Sequence, residues 1–467
     1  MKVEVAFFAL KKQDKIEQAP LKVCSSKFLK ACQEAQKPYN MKPEWWPGEE
    51  HEAFTEWATS NGIGTNSVTP ARFQGRGLGM MATRSIKKGE IVLRVPTKLM
   101  LRVEDIPSTF IDKLPEDIAV QALLAAYLTH GALDELSKYE LWQKSWPSRK
   151  DFEDSMPILW PTTLGGPQLP SSKDDSTDSE QPSLLPTSIS GLWNSLQPGQ
   201  KTRKYSADYQ NILSQQAQRL RKAWTDVISA FPETNWEKFS YHWLIVNTRS
   251  FYWIGKGQET PENPNDAMGL VPFADYFNHA DVARDVKFDE NTYEFRATKD
   301  YEEGEEVYMN YGSHPNDTLL AEYGFFLDVN EADSIYLDDI IFRDIHSAEQ
   351  QEDLWLNQYY GNYQVTPHGP CYRTEVAACL SYMKEEDWRN HVLEGQSQGL
   401  DESQSETTIK RWILTYAAEA DATIAALQKA MELNTTVQAH RPKAEMLLRR
   451  WRQIKDLCDH AAKTISV

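Results

Sequence analysis

Gly269-Leu270-Val271-Pro272-Phe273-Ala274-Asp275-Tyr276-Phe277-Asn278-His279 opens a stretch that closes with Glu305-Glu306-Val307-Tyr308-Met309-Asn310-Tyr311-Gly312 and then Glu322-Tyr323-Gly324-Phe325-Phe326. Between the two halves the sequence predicts a β-hairpin. Residues 286–288 and 292–297 read as short strands joined at Asp289-Glu290-Asn291, with Tyr293, Phe295 and Ala297 alternating to one face. Polar Asp275, Asn278 and His279 stand beside Phe273, Tyr276 and Phe277. Buried polar groups must find partners, so this mixture suits a pocket better than a plain core strand. Taken singly, Asn278 or His279 reads as a satisfied polar group in an ordinary strand. The pairing with a second, tyrosine-rich segment is what points to a site.

Upstream lies Arg72-Phe73-Gln74-Gly75-Arg76-Gly77-Leu78-Gly79-Met80. Its glycines alternate, so it is not the G-x-G-x-x-G of a dinucleotide fold, and no apolar strand before it or helix after it supports a phosphate loop. A glycine-rich turn does let backbone approach a ligand closely. Residues 91–95 predict a strand, and Phe54, Trp57 and Ala58 a short helix ending near Asn61-Gly62. An amphipathic helix is expected over 116–130, stopped by Gly131. From about 161 to 200 the composition shifts, and Ser171-Ser172-Lys173-Asp174-Asp175-Ser176-Thr177-Asp178-Ser179-Glu180 has no apolar residue with which to order itself, so a disordered surface loop is expected. Ser206 reads as the cap of a long helix reaching Phe231, with Tyr209, Leu213, Leu220, Trp224 and Val227 on its buried face. A second helix runs from near Asn235 to Arg249. Beyond Asp328 helices dominate. Ile409, Ile413, Ala417, Ala420, Ile424, Leu427 and Met431 form one seam, and Leu447, Trp451, Ile454 and Cys458 another.

With 467 residues, 40% hydrophobic and 25% charged, the chain is a globular protein of two or three domains. A net charge of −18 argues against direct nucleic-acid binding and is compatible with a lysine-rich protein partner. Cys24, Cys32, Cys371, Cys379 and Cys458 form no C-x-x-C pair, so neither a zinc site nor a disulfide framework is indicated, and a cytoplasmic or nuclear setting is expected. His279, Asp281 and Asp285 are close in sequence but at no ligand spacing, so no metal is expected. Neither a secretory core nor an 18-residue apolar run is present, so no membrane association is expected.

Asn278-His279, followed by Tyr311-Gly312 and Tyr323-Gly324-Phe325, resembles the two halves of a SET-domain methyltransferase site. More narrowly it resembles the Rubisco large-subunit methyltransferase-like class, from about Glu52 to near the C-terminus. The resemblance implies an α+β fold: a β-rich SET domain with a pseudoknot and a helical insert, followed by an all-α C-terminal substrate-binding domain. The expected organisation is an N-terminal extension over 1–45, a SET domain over 46–330 with its insert at about 135–245, and a helical domain over 331–467. The implied cofactor is S-adenosyl-L-methionine, held by Arg76, Gly77, Leu78, Arg249, Asp275, Asn278, His279, Tyr323 and Phe325. Tyr311 matches the catalytic tyrosine, and Phe273 joins Tyr311, Tyr323 and Phe325 as rings for an acceptor channel.

The function so implied is a protein-lysine N-methyltransferase acting as a monomer on a non-histone protein, of a ribosomal or other translation-related kind. Two alternatives stay open: a protein-histidine methyltransferase, and a non-catalytic SET fold that binds a protein through its helical domain. The latter should have lost the tyrosine or the Asn-His pair, and both are present.

Overall fold

The expected hairpin forms, and the glycine run upstream forms another. In the structure, a computed structural model, the described residues are 42–170, 183–191, 205–207, 209–255, 257, 259–261, 266–283 and 285–465. The described residues from Pro47 onward belong to one compact unit. Most of the extension expected over 1–45, and the acidic serine-rich segment at 171–180, lie outside the described residues.

In chain order the strands are β1 (Val68–Phe73), β2 (Gly77–Ala82), β3 (Ile91–Pro96), β4 (Ser250–Tyr252), β5 (Met268–Leu270), β6 (Val286–Phe288), β7 (Thr292–Arg296), β8 (Glu306–Val307), β9 (Ile335–Tyr336), β10 (Gln364–Thr366) and β11 (Gly369–Pro370). They pair antiparallel in small sheets ordered β1-β2-β8, β3-β7-β6, β4-β5 and β11-β10-β9. On β7, Tyr293 and Phe295 are buried opposite Val95 and Leu93 of β3, as the alternation predicts. The glycine run differs from expectation, because a strand does precede it. Gly75 and Gly77 both sit at φ +76°, so Gln74-Gly75-Arg76 turns the chain sharply and leaves Arg76 at the tip. Gly79 is required for another reason: a side chain there would run into Glu306 Oε1 and Asn278 Nδ2.

The helices that position the site are α1 (Glu49–Ser60), α2 (Val120–His130), α3 (Ile212–Ala230), α4 (Trp236–Arg249), α5 (Asn316–Tyr323), α6 (Glu402–Leu433) and α7 (Arg441–Thr464). Two start later than the periodicity suggests. Residues 116–118 instead form a turn, closed by Ile118 N–H on Pro115 O, and Ala119 is extended. Asn211, in the left-handed region at φ 54°, blocks helical continuation from Ser206, so Tyr209 precedes α3 and does not lie on its buried face. The C-terminal region is helical, with α6 and α7 packed along the two predicted seams. Strands β9–β11 are an addition there, so the region is not all-α; two- and three-residue strands leave almost no periodic signal.

Two buried polar groups tie these elements together. Arg450 of α7, fully buried, donates to Asp317 Oδ1 of α5 at 2.7 Å and to both oxygens of Asp333 at 2.7 and 3.0 Å. On α4, His242 Nδ1 hydrogen-bonds Thr129 Oγ1 of α2 at 2.9 Å. Burial, aided by Lys238 and His130, pushes the His242 pKa down to about 3. The fold therefore holds a neutral imidazole, whereas the unfolded chain takes up the proton near pH 6.5. This contribution is complete above that pH and is lost as pH falls towards 3, amounting to about 2 kcal/mol between pH 7 and 5. His242→Gln should flatten the acid limb of stability in urea melts at pH 5, 6 and 7; a variant retaining the parent's slope would exclude His242 as its source.

Candidate active site

The two halves of the quoted stretch lie side by side. His279 and Met309 form a parallel bridge, with Met309 N–H on Asn278 O at 2.9 Å and Ala280 N–H on Met309 O at 3.1 Å. This contact brings Tyr311 under the control of the first segment. Its N–H donates to His279 Nδ1 at 3.1 Å, and its hydroxyl donates to Phe277 O at 2.5 Å. The rings of Tyr323 and Phe325 lie 5.4 and 6.3 Å from that of Tyr311, centroid to centroid. Burial raises the Tyr311 phenol well above its ordinary pKa, so it stays protonated at neutral pH.

A cavity of about 920 Å³ opens beside this tyrosine. Its lining brings together Arg76, Gly77, Leu78, Arg249, Asp275, Asn278, Tyr311, Tyr323 and Phe325, residues from five separate parts of the sequence. Two expected members stand elsewhere. His279 is buried behind the wall, where its imidazole fixes the Tyr311 amide. Phe273 supplies no ring to the channel: it is fully buried in a left-handed conformation, packed on Phe54 and Tyr276.

The structure also adds residues. Trp142 Nε1 donates to Asp275 Oδ2 at 3.0 Å, with Arg249 Nε 3.9 Å from the same oxygen. Burial raises the Asp275 pKa, and Arg249 and the indole pull it back. His51 Nδ1 lies 2.7 Å from Tyr276 Oη on the same wall. Glu306, almost wholly buried, accepts from Asn278 Nδ2 at 2.7 Å and Tyr308 Oη at 2.8 Å and pairs with Arg76 Nε at 3.0 Å. Its signal was in the sequence: Glu306 and Tyr308 alternate about the apolar Val307, an odd place for a carboxylate unless it has partners. Nothing local marked Trp142.

Asn278 Nδ2 also donates to Leu78 O at 2.8 Å, so one amide links the glycine turn to Glu306. Asn278→Ala would leave two buried acceptors short of a donor, a loss of about 1–3 kcal/mol. Donor affinity measured by calorimetry should fall about tenfold or more; an unchanged affinity in a folded variant would take Asn278 out of the site.

The polar set suits an amino-acid end bearing both charges, with Arg249 for a carboxylate and Asp275 for an ammonium, while Arg76 is held by Glu306. Tyr323 and Phe325 add ring surface. Gly77 gives backbone access, since nothing lies within 4 Å of a side chain built there. S-adenosylmethionine presents these groups, so the residues present fit it. Among the described residues no cluster could hold a metal ion, and no helix is long and apolar enough to cross a membrane.

Comparison with known proteins agrees with this geometry. The fold is similar to the crystal structure of the SET domain of LSMT bound to lysine and AdoHcy, with a TM-score of 0.55, 13% identity, and 90% of this chain and 93% of that chain covered. The ribosomal lysine N-methyltransferase set11 of Schizosaccharomyces pombe is 27% identical over 58% of this chain and 63% of its own length. The actin-histidine N-methyltransferase of Canis lupus familiaris is 24% identical over 60% of this chain and 43% of its own. The chain thus spans less than two thirds of the length of either relative. The fold is that of a SET domain, and the cavity beside Tyr311 is where its site would lie. The SET domain matches residues 77–312, about half of the sequence, and the chain belongs to that family.

Proposed function

We propose that this chain is a protein-lysine N-methyltransferase acting on a non-histone protein, with Tyr311 as its catalytic residue. The supporting observation is the ring set around Tyr311. Tyr323 packs its ring 5.4 Å from that of Tyr311 on the cavity wall, and a second ring there favours a slender alkyl amine over a flat imidazole. Bound S-adenosylmethionine supplies a methyl group on a positively charged sulfur. This chain's residues hold and orient. Arg249 would take the carboxylate, and Asp275, fixed by Trp142, would face the ammonium. Leu78 and Gly77 present backbone, and Asn278 keeps that backbone in place.

The acceptor amine must be neutral to react. With a lysine pKa near 10.4, deprotonation at pH 7 costs about 4.6 kcal/mol, and a buried apolar channel lowers that cost by disfavouring the ammonium. Tyr311 cannot serve as a base, since its phenol stays protonated. Because its proton is spent on Phe277 O, its oxygen is left to accept from the amine and align it.

We extend the reading to a protein substrate met in the cytoplasm or nucleus, ribosomal or translation-related in kind, on the likeness to the fission-yeast ribosomal lysine N-methyltransferase. We also keep the division near residue 330, with the helical part as the substrate-holding half. Protein histidine is the second reading, favoured by the actin-histidine relative. Incubating the enzyme and labelled donor with a cytosolic extract, then sequencing the labelled peptide, tests both. Label on lysine supports the first reading, and label on histidine alone replaces it with the second.

A further inference from the structure

Glu322 stands in the last turn of α5, directly before Tyr323. A carboxylate is unfavourable there, because the carbonyl end of a helix carries partial negative charge. The fold nevertheless surrounds it with donors. Gln216 Nε2 and Asn247 Nδ2 donate to Oε2 at 2.9 and 3.1 Å, and Arg219 Nη2 donates to Oε1 at 2.7 Å. The same two amides also hold neighbouring backbone: Gln216 donates to Ala321 O at 3.1 Å and Asn247 to Glu322 O at 3.0 Å. Behind them, Gln121 Nε2 of α2 donates to Asn247 Oδ1 at 2.8 Å. Two helices, α3 and α4, thereby converge on one side chain, and α2 supports them through Asn247. The helix ends immediately after it, at Gly324 in the left-handed region, so the last turn sets the direction of the Tyr323 ring.

We propose that Glu322 is a positioning residue for methyl transfer: it fixes the Tyr323 ring against Tyr311 and so sets the width of the acceptor channel. Glu322 does not line the cavity and acts through its neighbour. Helix stability alone does not explain it, since a cation would serve the end of α5 better. The proposal rests on Tyr323 bounding the acceptor channel, as set out above. It adds that the helices before β4, which contribute no ring to the channel, hold its gauge. Asn247 also lies two residues before Arg249, so one helix end holds Glu322 and reaches the donor cavity.

The variant is Glu322→Gln, which keeps shape but sets an amide among amide and guanidinium donors. It is read in two ways. First, single-turnover transfer to the peptide mapped from the extract is measured in the parent and in Tyr323→Ala backgrounds, with S-adenosylhomocysteine affinity alongside. Transfer should fall about tenfold in the parent, less than the hundredfold of a full 1 Å misplacement. It should fall less than about twofold in the Tyr323→Ala background, with ligand affinity also within about twofold. Equal losses in both backgrounds would overturn the proposal and leave Glu322 a merely structural group. Second, fluorotyrosine-labelled protein is examined by NMR, with the Tyr323 signal assigned by its loss in Tyr323→Phe. That signal should move in Glu322→Gln, and an unmoved signal would overturn the proposal whatever residue the enzyme methylates. This arm needs no acceptor, so failure of the lysine reading and failure of the positioning role are separable. Should Glu322→Gln not fold, Arg219→Gln removes a single donor from the open side of the cluster and should give a smaller effect of the same sign.

Discussion

Tyr311→Phe should slow methyl transfer by at least about a hundredfold while leaving donor affinity nearly unchanged. The ring and its packing on Tyr323 and Phe325 survive, and what disappears is one hydroxyl. That hydroxyl donates to Phe277 O, so stability should fall by no more than about 1–2 kcal/mol. The larger effect is on rate, because the oxygen aligns the reacting groups and a misplacement near 1 Å costs about a hundredfold. Donor affinity should hold because the polar groups proposed for the donor's amino-acid end, Arg249, Asp275 and Asn278, are untouched. Single-turnover transfer and calorimetry on the same preparation separate the two. A Phe variant as fast as the parent would remove Tyr311 from its assigned role, and a scaffold without activity would have no rate to lose.

Arg450→Met should be the most damaging single change outside the cavity, costing about 3–5 kcal/mol. The guanidinium is fully buried between Asp317 and Asp333, and its removal leaves two carboxylates without their counter-charge. Burial already raises the Asp317 pKa even with Arg450 in place. Without Arg450 it rises further, so the folded variant binds more protons than its unfolded chain. Its deficit should therefore shrink as pH falls from 7 to 5. Adding Asp317→Asn should recover part of the loss at pH 7. Urea melts of the three proteins at both pH values check this; a deficit that grows on acidification would mean the carboxylates find other partners.

What the sequence made legible was periodic or motif-bound. Alternation placed Tyr293 and Phe295 on the inner face of β7, and three-four spacing placed Ile409 to Leu427 against Leu447 to Cys458. The ordered set Asn278-His279, Tyr311 and Tyr323 carried the resemblance to the family, and three of its members, Asn278, Tyr311 and Tyr323, line the cavity. What it hid depends on contacts between distant segments. Trp142 reaches Asp275 across 133 residues and Arg450 reaches Asp317 across the same separation, and neither leaves a local pattern. His279 looked like a ligand contact because polar groups in aromatic company often are, yet its ring nitrogen is committed to the Tyr311 amide. Phe273 misled in the opposite way, since a left-handed backbone turns its ring into the core. Helix starts at Val120 and Ile212 were set by single backbone conformations that propensity does not register.

The Arg450 bridge also bears on the order in which the chain is made. The Tyr311 hydrogen bonds go to residues 277 and 279, and Tyr323 leaves a helix whose first turn is held by Asp317 on an arginine 133 residues further along. A ribosome emits these parts from the N-terminal end, so every residue of the cavity is outside the exit tunnel well before the arginine that steadies α5 has been synthesised. Activity should therefore arrive as a step once α7 has emerged, and a nascent chain stalled before α7 would carry all its catalytic groups and still lack the brace on α5.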